Sequence, residues 1–267
     1  MYVAPPDRHM LLDRGFIRLS HGPRENHTRP AIDPLFRSAA IAYGPAVVGV
    51  ILTGQLDDGT AGLLAVKDRG GTAIVQEPSE ATAPSMPESA LAHVKVDYRC
   101  TLEEMASIFV DLANDDPVPT GEVQLDELIE VENRIAEGIF TVEDWWKIEK
   151  LSIPCGLNCP VCRSALYEIR DSRMLRFRCR AGHAYSVESL MAEQADCRET
   201  QLSGLFGALT EEATLARRVR DGPTYRERDK LREGLNAKIA RIELESDQVC
   251  GWLRALTGLV QPDPDER

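Results

Sequence analysis

The apolar positions from Ala46 onward run together before they space out. Val47-Val-Gly-Val-Ile-Leu52 is a continuous apolar, β-branched run, the pattern of a strand buried on both faces in a parallel sheet. The run stops at Gly54. Asp57 and Asp58 follow at once, and Gly59 to Gly70 reads as a helix. A strand, a short polar loop and a helix put that loop at the carboxyl edge of a sheet, where open α/β folds bind ligands and do chemistry. One of the two acids is expected to cap the helix by accepting its first free N–H groups, leaving the other to face the crevice. Both serving as turn and cap residues is the plainer alternative.

Elsewhere the pattern predicts shorter elements. Tyr2 to Ala4 is a short strand ended by Pro5-Pro6, and His9–Leu12 with Phe16–Leu19 is a hairpin around Asp13-Arg14-Gly15. His21 to Pro30 is a polar loop. Asp33-Pro34 starts a helix, with Asp as N-cap and Pro at the first helical position, that runs to about Tyr43. Thr72 to Gln76 is a strand, Pro87 to Ala92 a brief helix and Leu102 to Leu112 a longer amphipathic one. The strand-helix-strand order around Val47 to Val75 implies a right-handed parallel crossover.

Past Asn114 the chain changes character. Residues 115–123 are Pro-rich and acidic and read as a linker, so 1–114 is one domain. Residues 124–150 form a helical connector, with Leu125, Leu128, Ile129 and Ile135 on one face and a second start at Thr141. At least one of Trp145 and Trp146 is expected to pack on a neighbour. Residues 187–258 carry two apolar stripes around Gly222-Pro223 and read as a long helical hairpin, each stripe covering the other or serving an oligomer. The tail, 259–267, is acidic and expected to be disordered.

Residues 151–186 hold the strongest chemical signal. Cys159-Pro-Val-Cys162 and Cys179-Arg-Ala-Gly-His183 are paired ligands, and the stretch between them turns at Asp171-Ser172. Two knuckles joined by a hairpin make a zinc ribbon. Three thiolates and an imidazole suit tetrahedral Zn²⁺ and leave no open position, so the expected metal is structural. Comparable peptides gain about 10–16 kcal/mol from metal binding. Cys155 is a rival ligand by proximity. Arg163, Arg170, Arg173, Arg176, Arg178 and Arg180 cluster around the module, either as a solvated face or as a surface for an acidic partner.

The formal charge of −12 argues against general nucleic-acid binding. No apolar stretch reaches roughly 18 residues, so no membrane span is expected. Seven cysteines without a disulfide framework suit a reducing, cytoplasmic setting.

Four motifs carry a family resemblance: Tyr2 to Met10 (Y-V-A-P-P-D-R-H-M), His27 to Phe36 (H-T-R-P-A-I-D-P-L-F), Val50 to Gly62 (V-I-L-T-G-Q-L-D-D-G-T-A-G) and Ser85 to Ala90 (S-M-P-E-S-A). Together and in this order they resemble the catalytic domain of the CheB-type protein-glutamate methylesterases of chemotaxis. The resemblance implies a Rossmann-like α/β fold with a partial parallel sheet. It also implies hydrolysis of glutamate methyl esters on chemoreceptors by a Ser-His-Asp triad, with Asp58 as the acid and pocket-lining groups between Thr53 and Leu56. In that family the Ser and the His come from segments preceding the matched stretch. The chain as given is therefore expected to be inactive alone, with an uncovered sheet edge, and to be marginal, to aggregate or to pair with a separate N-terminal half-domain. His9, His27 and Ser85 are read as structural or solvated rather than as base or nucleophile. The zinc ribbon and helical hairpin are similar to the C-terminal extension of some CheB-like proteins. A non-catalytic, zinc-stabilised interaction protein using the Arg-rich ribbon and the hairpin is the alternative.

Overall fold

The computed structural model describes residues 1–114, 126–171, 173–223 and 228–256. It divides into two compact units, Met1–Glu193 and Gln194–Arg267. The expected linker, 115–123, and tail, 259–267, lie outside the described residues.

The first unit begins with a hairpin, β1 (His9–Asp13) and β2 (Phe16–Ser20). Asp13 pairs with Phe16 across Arg14-Gly15, and Gly15 takes φ +80, as such a tight turn requires. The hairpin lies on α1 (Ile32–Tyr43): Leu12 N donates to Ser38 Oγ, and Tyr43 Oη bridges Gly15 N and Asp13 O. Tyr2–Ala4 is not a strand, because none of the described strands offers it a ladder.

Three parallel strands follow in the order β3 (Val48–Ile51), β4 (Thr72–Gln76), β5 (Tyr98–Cys100). The crossovers are α2 (Thr60–Asp68) and α3 (Ser85–His93), and α4 (Leu102–Asn114) closes the segment. Ile51, Leu63, Leu64, Val66, Ala73 and Val75 are buried between sheet and helices. β4 is the strand buried on both faces. β3 is not: it pairs only with β4 among the described residues, and Val48 is 39% exposed. Its apolar run therefore overstated its burial. β5 carried no sequence signal, since three residues, Tyr-Arg-Cys, are too few to show a period.

α1 and α2 pack closely because of Gly62. A Cβ there would lie 2.7 Å from Phe36 Cβ and 2.9 Å from Asp33 Cα.

The connector is α5 (Glu127–Glu137) and α6 (Val142–Lys150). α5 is capped by Asp126, which accepts from Leu128 N, and α6 by a Thr141–Asp144 capping box. Leu128, Ile135 and Ile148 bury together with Ile169. Trp145 packs edge-on to Tyr167 at 5.3 Å, while Trp146 stays exposed. A four-stranded antiparallel sheet follows in sequence order: β6 (Ser152–Asn158), β7 (Ala165–Ile169), β8 (Arg176–Cys179) and β9 (Ala184–Ser186). Ile129 of the connector and Met174 before β8 enter the same core as Ile51 and Leu63. Residues expected in three modules thus share one apolar interior.

α7 (Val187–Asp221) starts in the first unit, capped by Ser186: Ser189 N donates to Ser186 Oγ, and Ser186 N to Ser189 Oγ. In the second unit, α7 beyond Glu193 and α8 (Asp229–Leu256) bury Ala213, Ala216, Ile239, Ile242 and Val249. Arg220 to Asn236, Arg217 to Glu243 and Lys238 to Glu212 tie the two helices. No helix among the described residues is long and apolar enough to cross a membrane.

Candidate functional site

The loop after β3 is pinned by side chains and backbone from two neighbours. Gln76 Oε1 accepts from Thr53 N at 2.8 Å, and Gly54 N donates to Ala83 O at 2.9 Å. The loop ends at Gly59, whose φ of +93 lies in the left-handed region, and whose absent Cβ would sit 2.6 Å from Ile51 Cδ1. Glycine after Asp58 is thus required twice over, by backbone angle and by space.

Neither acid of this loop caps α2, contrary to the expectation. The N-cap position of α2 is Gly59, with no side-chain bond. Asp58 turns to the start of α1 instead. Its Oδ2 accepts from Ile32 N at 2.7 Å, and its Oδ1 from Asp33 N at 3.3 Å and Asn26 Nδ2 at 3.0 Å. Asp33, expected as the N-cap of α1, lies inside that helix, and its Oδ1 accepts from Gly62 N of α2 at 2.5 Å. Each helix has its first-turn amides satisfied by an acid from the other's entry. Asn26 Nδ2 also reaches Asp33 Oδ2 at 2.6 Å, so one amide bridges both carboxylates.

Asp57 is buried, and Ser186 Oγ donates to its Oδ1 at 2.7 Å. Burial, with Glu188 nearby, pushes Asp57 up to about 8. Burial and the charge of Asp33 push Asp58 up to about 7, against the pull of its amide donors. Burial likewise raises Asp33, partly offset by the Gly62 amide. Asp58 is partly exposed, and the three bonds above fill three of about four acceptor sites on its carboxylate. One site is left for an incoming N–H.

The histidines are committed elsewhere. His9 is buried, its Nε2 on Pro23 O at 2.9 Å and its Nδ1 accepting from Ala31 N at 3.3 Å, which sets its tautomer and a structural role. His27 Nδ1 pairs with Glu193, and His93 Nδ1 lies on Ser89 O. Ser85 Oγ donates to Gly54 O at 3.2 Å, where it steadies the loop. Thr53 and Gln55 are exposed beside the acids.

A second group lies between β6 and β9. One ligand atom from each of Cys159, Cys162, Cys179 and His183 falls within 4.8 Å of the other three. Cys155 stands apart, with its Sγ on Leu166 O.

Between the two groups runs a buried ionic network. Glu132 takes Arg176 Nη1 at 3.0 Å and Arg178 Nη2 at 3.0 Å, and Glu25 takes Arg37 Nη2 at 2.8 Å and Arg178 Nη2 at 3.3 Å. Burial alone raises a carboxyl, but the surrounding guanidinium groups reverse this and hold both glutamates below their usual range. Sequence reasoning missed this network, Asn26 and Ser186. Their partners lie too far along the chain for spacing to show.

The fold and site are those of an α/β domain with an acid at the carboxyl end of a parallel strand. Residues 1–109 match the family described as CheB methylesterase. Over 113 residues the chain is 43% identical to a protein of Leptospira interrogans named for protein-glutamate methylesterase/protein-glutamine glutaminase, covering 42% of this chain and 58% of that one. It is 38% identical to protein-glutamate methylesterase/protein-glutamine glutaminase 4 of Anaeromyxobacter dehalogenans, covering 42% and 33%. The solved Thermotoga maritima CheB methylesterase catalytic domain aligns at 32% identity and TM-score 0.40, over 42% of this chain and 61% of that one. The chain thus spans little more than half the length of the Leptospira relative.

Proposed function

We propose that the domain to which residues 1–109 contribute hydrolyses methyl esters of glutamate side chains on chemoreceptors, with Asp58 as the acid of a Ser-His-Asp triad. The observation that carries this reading is the setting of Asp58. It stands at the carboxyl end of β3, partly exposed, held by three donors with one acceptor site to spare, inside the stretch that matches the methylesterase family.

In this mechanism a serine attacks the γ-carbonyl carbon while a histidine takes its proton. Methoxide leaves as methanol, protonated by that histidine, and water repeats the sequence on the acyl-enzyme. Asp58 fixes the tautomer of the histidine and stabilises its charged form. A glutaminase activity, as in the relatives' names, uses the same acyl centre with ammonia leaving. Serine and base belong, on this reading, to the part of the domain outside the matched stretch. A cytoplasmic setting goes with this reading and with seven cysteines that form no disulfide framework.

The rival reading, an Arg-rich interaction module, keeps less of its surface, because four of its six arginines are paired with acids of this chain. Arg176 and Arg178 are spent on Glu132 and Glu25, Arg173 on Asp68 and Asp171, and Arg180 on Glu149. Exposed Leu205, Leu231 and Trp252 in the second unit are the candidates for self-association, which light scattering of a Leu231→Lys variant tests.

The test of the catalytic reading is release of labelled methanol from methylated receptor. The chain is assayed alone and with the complementary portion of the Leptospira relative. Turnover that Asp58→Asn abolishes supports the assignment. Turnover that Asp58→Asn leaves unchanged overturns it.

A further inference from the structure

The two knuckles are built alike. After β6, Cys159 N donates to Ser164 O and Arg163 N to Cys159 O; after β8, Gly182 N donates to Cys179 O and Cys179 N to His183 O. Each turn closes on a residue with positive φ, Arg163 at +64 and Gly182 at +90. These turns bring four soft or borderline donors to one point. Cys162 and Cys179 Sγ are 3.5 Å apart, and His183 Nδ1 lies 3.4 Å from Cys179 Sγ and 3.7 Å from Cys159 Sγ.

These separations suit a tetrahedral ion, and three thiolates with one imidazole suit Zn²⁺. A tetrahedron with Zn–S near 2.3 Å and Zn–N near 2.05 Å has edges of about 3.8 Å between sulfurs and about 3.6 Å between sulfur and nitrogen. These three spacings are within a few tenths of an ångström of that, and all four ligand atoms lie within 4.8 Å of one another. A disulfide needs sulfurs at about 2.05 Å, and pairing two cysteines would leave a third thiol and the imidazole without a role. Outer partners are in place as well: Tyr185 Oη is 3.3 Å from Cys159 Sγ, and Ser164 Oγ is 3.0 Å from Cys162 Sγ.

We propose that Cys159, Cys162 and Cys179 through Sγ, with His183 through Nδ1, bind one structural Zn²⁺, and that this ion staples β9 against the acid cluster around Asp57 and Asp58. Binding forms three Zn–S bonds and one Zn–N bond and releases the three thiol protons to solvent. No coordination position stays open, so the ion activates no water. Its role follows from what comes next in the chain. Immediately after His183, Ala184 O accepts from Asn26 N at 2.9 Å. Ser186 then donates to Asp57 and, through its N–H, to Asn26 Oδ1 at 3.3 Å. Asn26 is the amide that bridges Asp33 and Asp58. A knuckle fixed by metal therefore fixes the strand that holds both acids in place.

The test uses the full chain, purified under reducing conditions without added metal. Zinc is measured by mass spectrometry, and hydrogen exchange is followed before and after chelation. The expected result is one zinc per chain, lost in Cys159→Ser and Cys179→Ser and kept in Cys155→Ser and Cys250→Ser. Cobalt substitution of the unmutated chain is expected to give the intense visible bands of a tetrahedral thiolate site, which does not depend on any variant folding. Chelation is expected to speed amide exchange at least tenfold in residues 24–28 and 184–190. A folded chain without metal, or one carrying a disulfide among these cysteines, overturns the site. Bound zinc whose removal leaves exchange at 24–28 unchanged overturns the staple.

Discussion

Asp33 and Asp58 cap one another's helices. Asp33 lies in α1 and accepts from Gly62 N of α2, while Asp58 precedes α2 and accepts from Ile32 and Asp33 N of α1. The exchange locks the two helices at their N-termini and brings two carboxylates onto one Asn26 amide. Two such groups do not both ionise without cost, which is why burial and mutual repulsion lift Asp58 to about 7.

Asp58→Asn is therefore expected to separate catalysis from folding. The amide oxygen still accepts from Ile32 N, but the charge that stabilises an imidazolium is gone. In the complemented enzyme kcat should fall by about 10⁴-fold, the size seen when a triad acid is made neutral. Circular dichroism should change little, while the melting temperature should fall, because the new NH2 faces the Asp33 and Asn26 N–H donors that the lost oxygen accepted from. Steady-state kinetics beside a thermal melt check both halves.

The pH dependence of activity and of stability should run in opposite directions here. A triad acid works ionised, so turnover should rise with pH as Asp58 loses its proton, at a pH below the value of about 7 it has in this chain, because the imidazolium of the assembled site favours its ionised form. Stability behaves otherwise. A carboxyl whose pKa is raised in the folded chain binds its proton more tightly folded than unfolded. Folding stability should fall as pH rises from the unfolded value of 3.8 to about 7 for Asp58 and about 8 for Asp57, then level off. Glu25 and Glu132, held low by arginines, contribute stability above 4.5 that is lost as pH drops further. Urea unfolding across pH 3 to 9 should show the maximum on the acid side of neutrality. Asp57→Asn should flatten the alkaline slope.

What the chain's own pattern revealed and what it hid divide by distance along the sequence. β4, α4, the first hairpin and the Thr141 helix start rest on local periodicity or capping chemistry, and they stand where the pattern puts them. The metal-type ligands were legible because each pair is local. Asp33 and the Asp57-Asp58 pair each stand next to a helix start, which invites a cap on the nearest helix, whereas Asp33 and Asp58 each serve the helix packed beside it. Asp57 with Ser186 is 129 residues apart, and Glu25 with Arg178 is 153 apart. No spacing rule reaches that far. Arg173, Arg176, Arg178 and Arg180 read as part of a surface patch because sequence shows charge but not the acids that fold onto it.

Glu132→Gln should be among the most destabilising single changes in the first unit. It strips the charge facing Arg178, which is buried, and Arg176, which is partly so. Breaking a buried pair from one side costs about 3–5 kcal/mol. Arg180→Ala removes an exposed pair with Glu149 and should cost less than about 1 kcal/mol. Denaturant midpoints of the two variants at constant m give the comparison. Equal losses would show that the buried network is no more than decoration on the apolar core.

Gly22 offers a sharper test of how the connector sits on the first unit's hairpin. Ser20 Oγ donates to Ala136 O at 2.6 Å and accepts from Gly22 N at 2.8 Å, which draws the two backbones together. A Cβ on Gly22 would lie 2.1 Å from Ala136 O. Backbone stands on both sides of that clash, so neither side swings away, and Gly22→Ala should cost at least the about 1–3 kcal/mol typical of overpacking. Gly54→Ala meets Met86 Sδ at the same 2.1 Å, but a methionine side chain re-routes, so its cost should be smaller. Gly207→Ala, in mid-helix with nothing within 4 Å, should instead stabilise the second unit by about 0.5–1 kcal/mol. Urea melts of the three variants should rank in that order. A Gly22→Ala chain as stable as the parent would mean that α5 does not rest on residues 20–22.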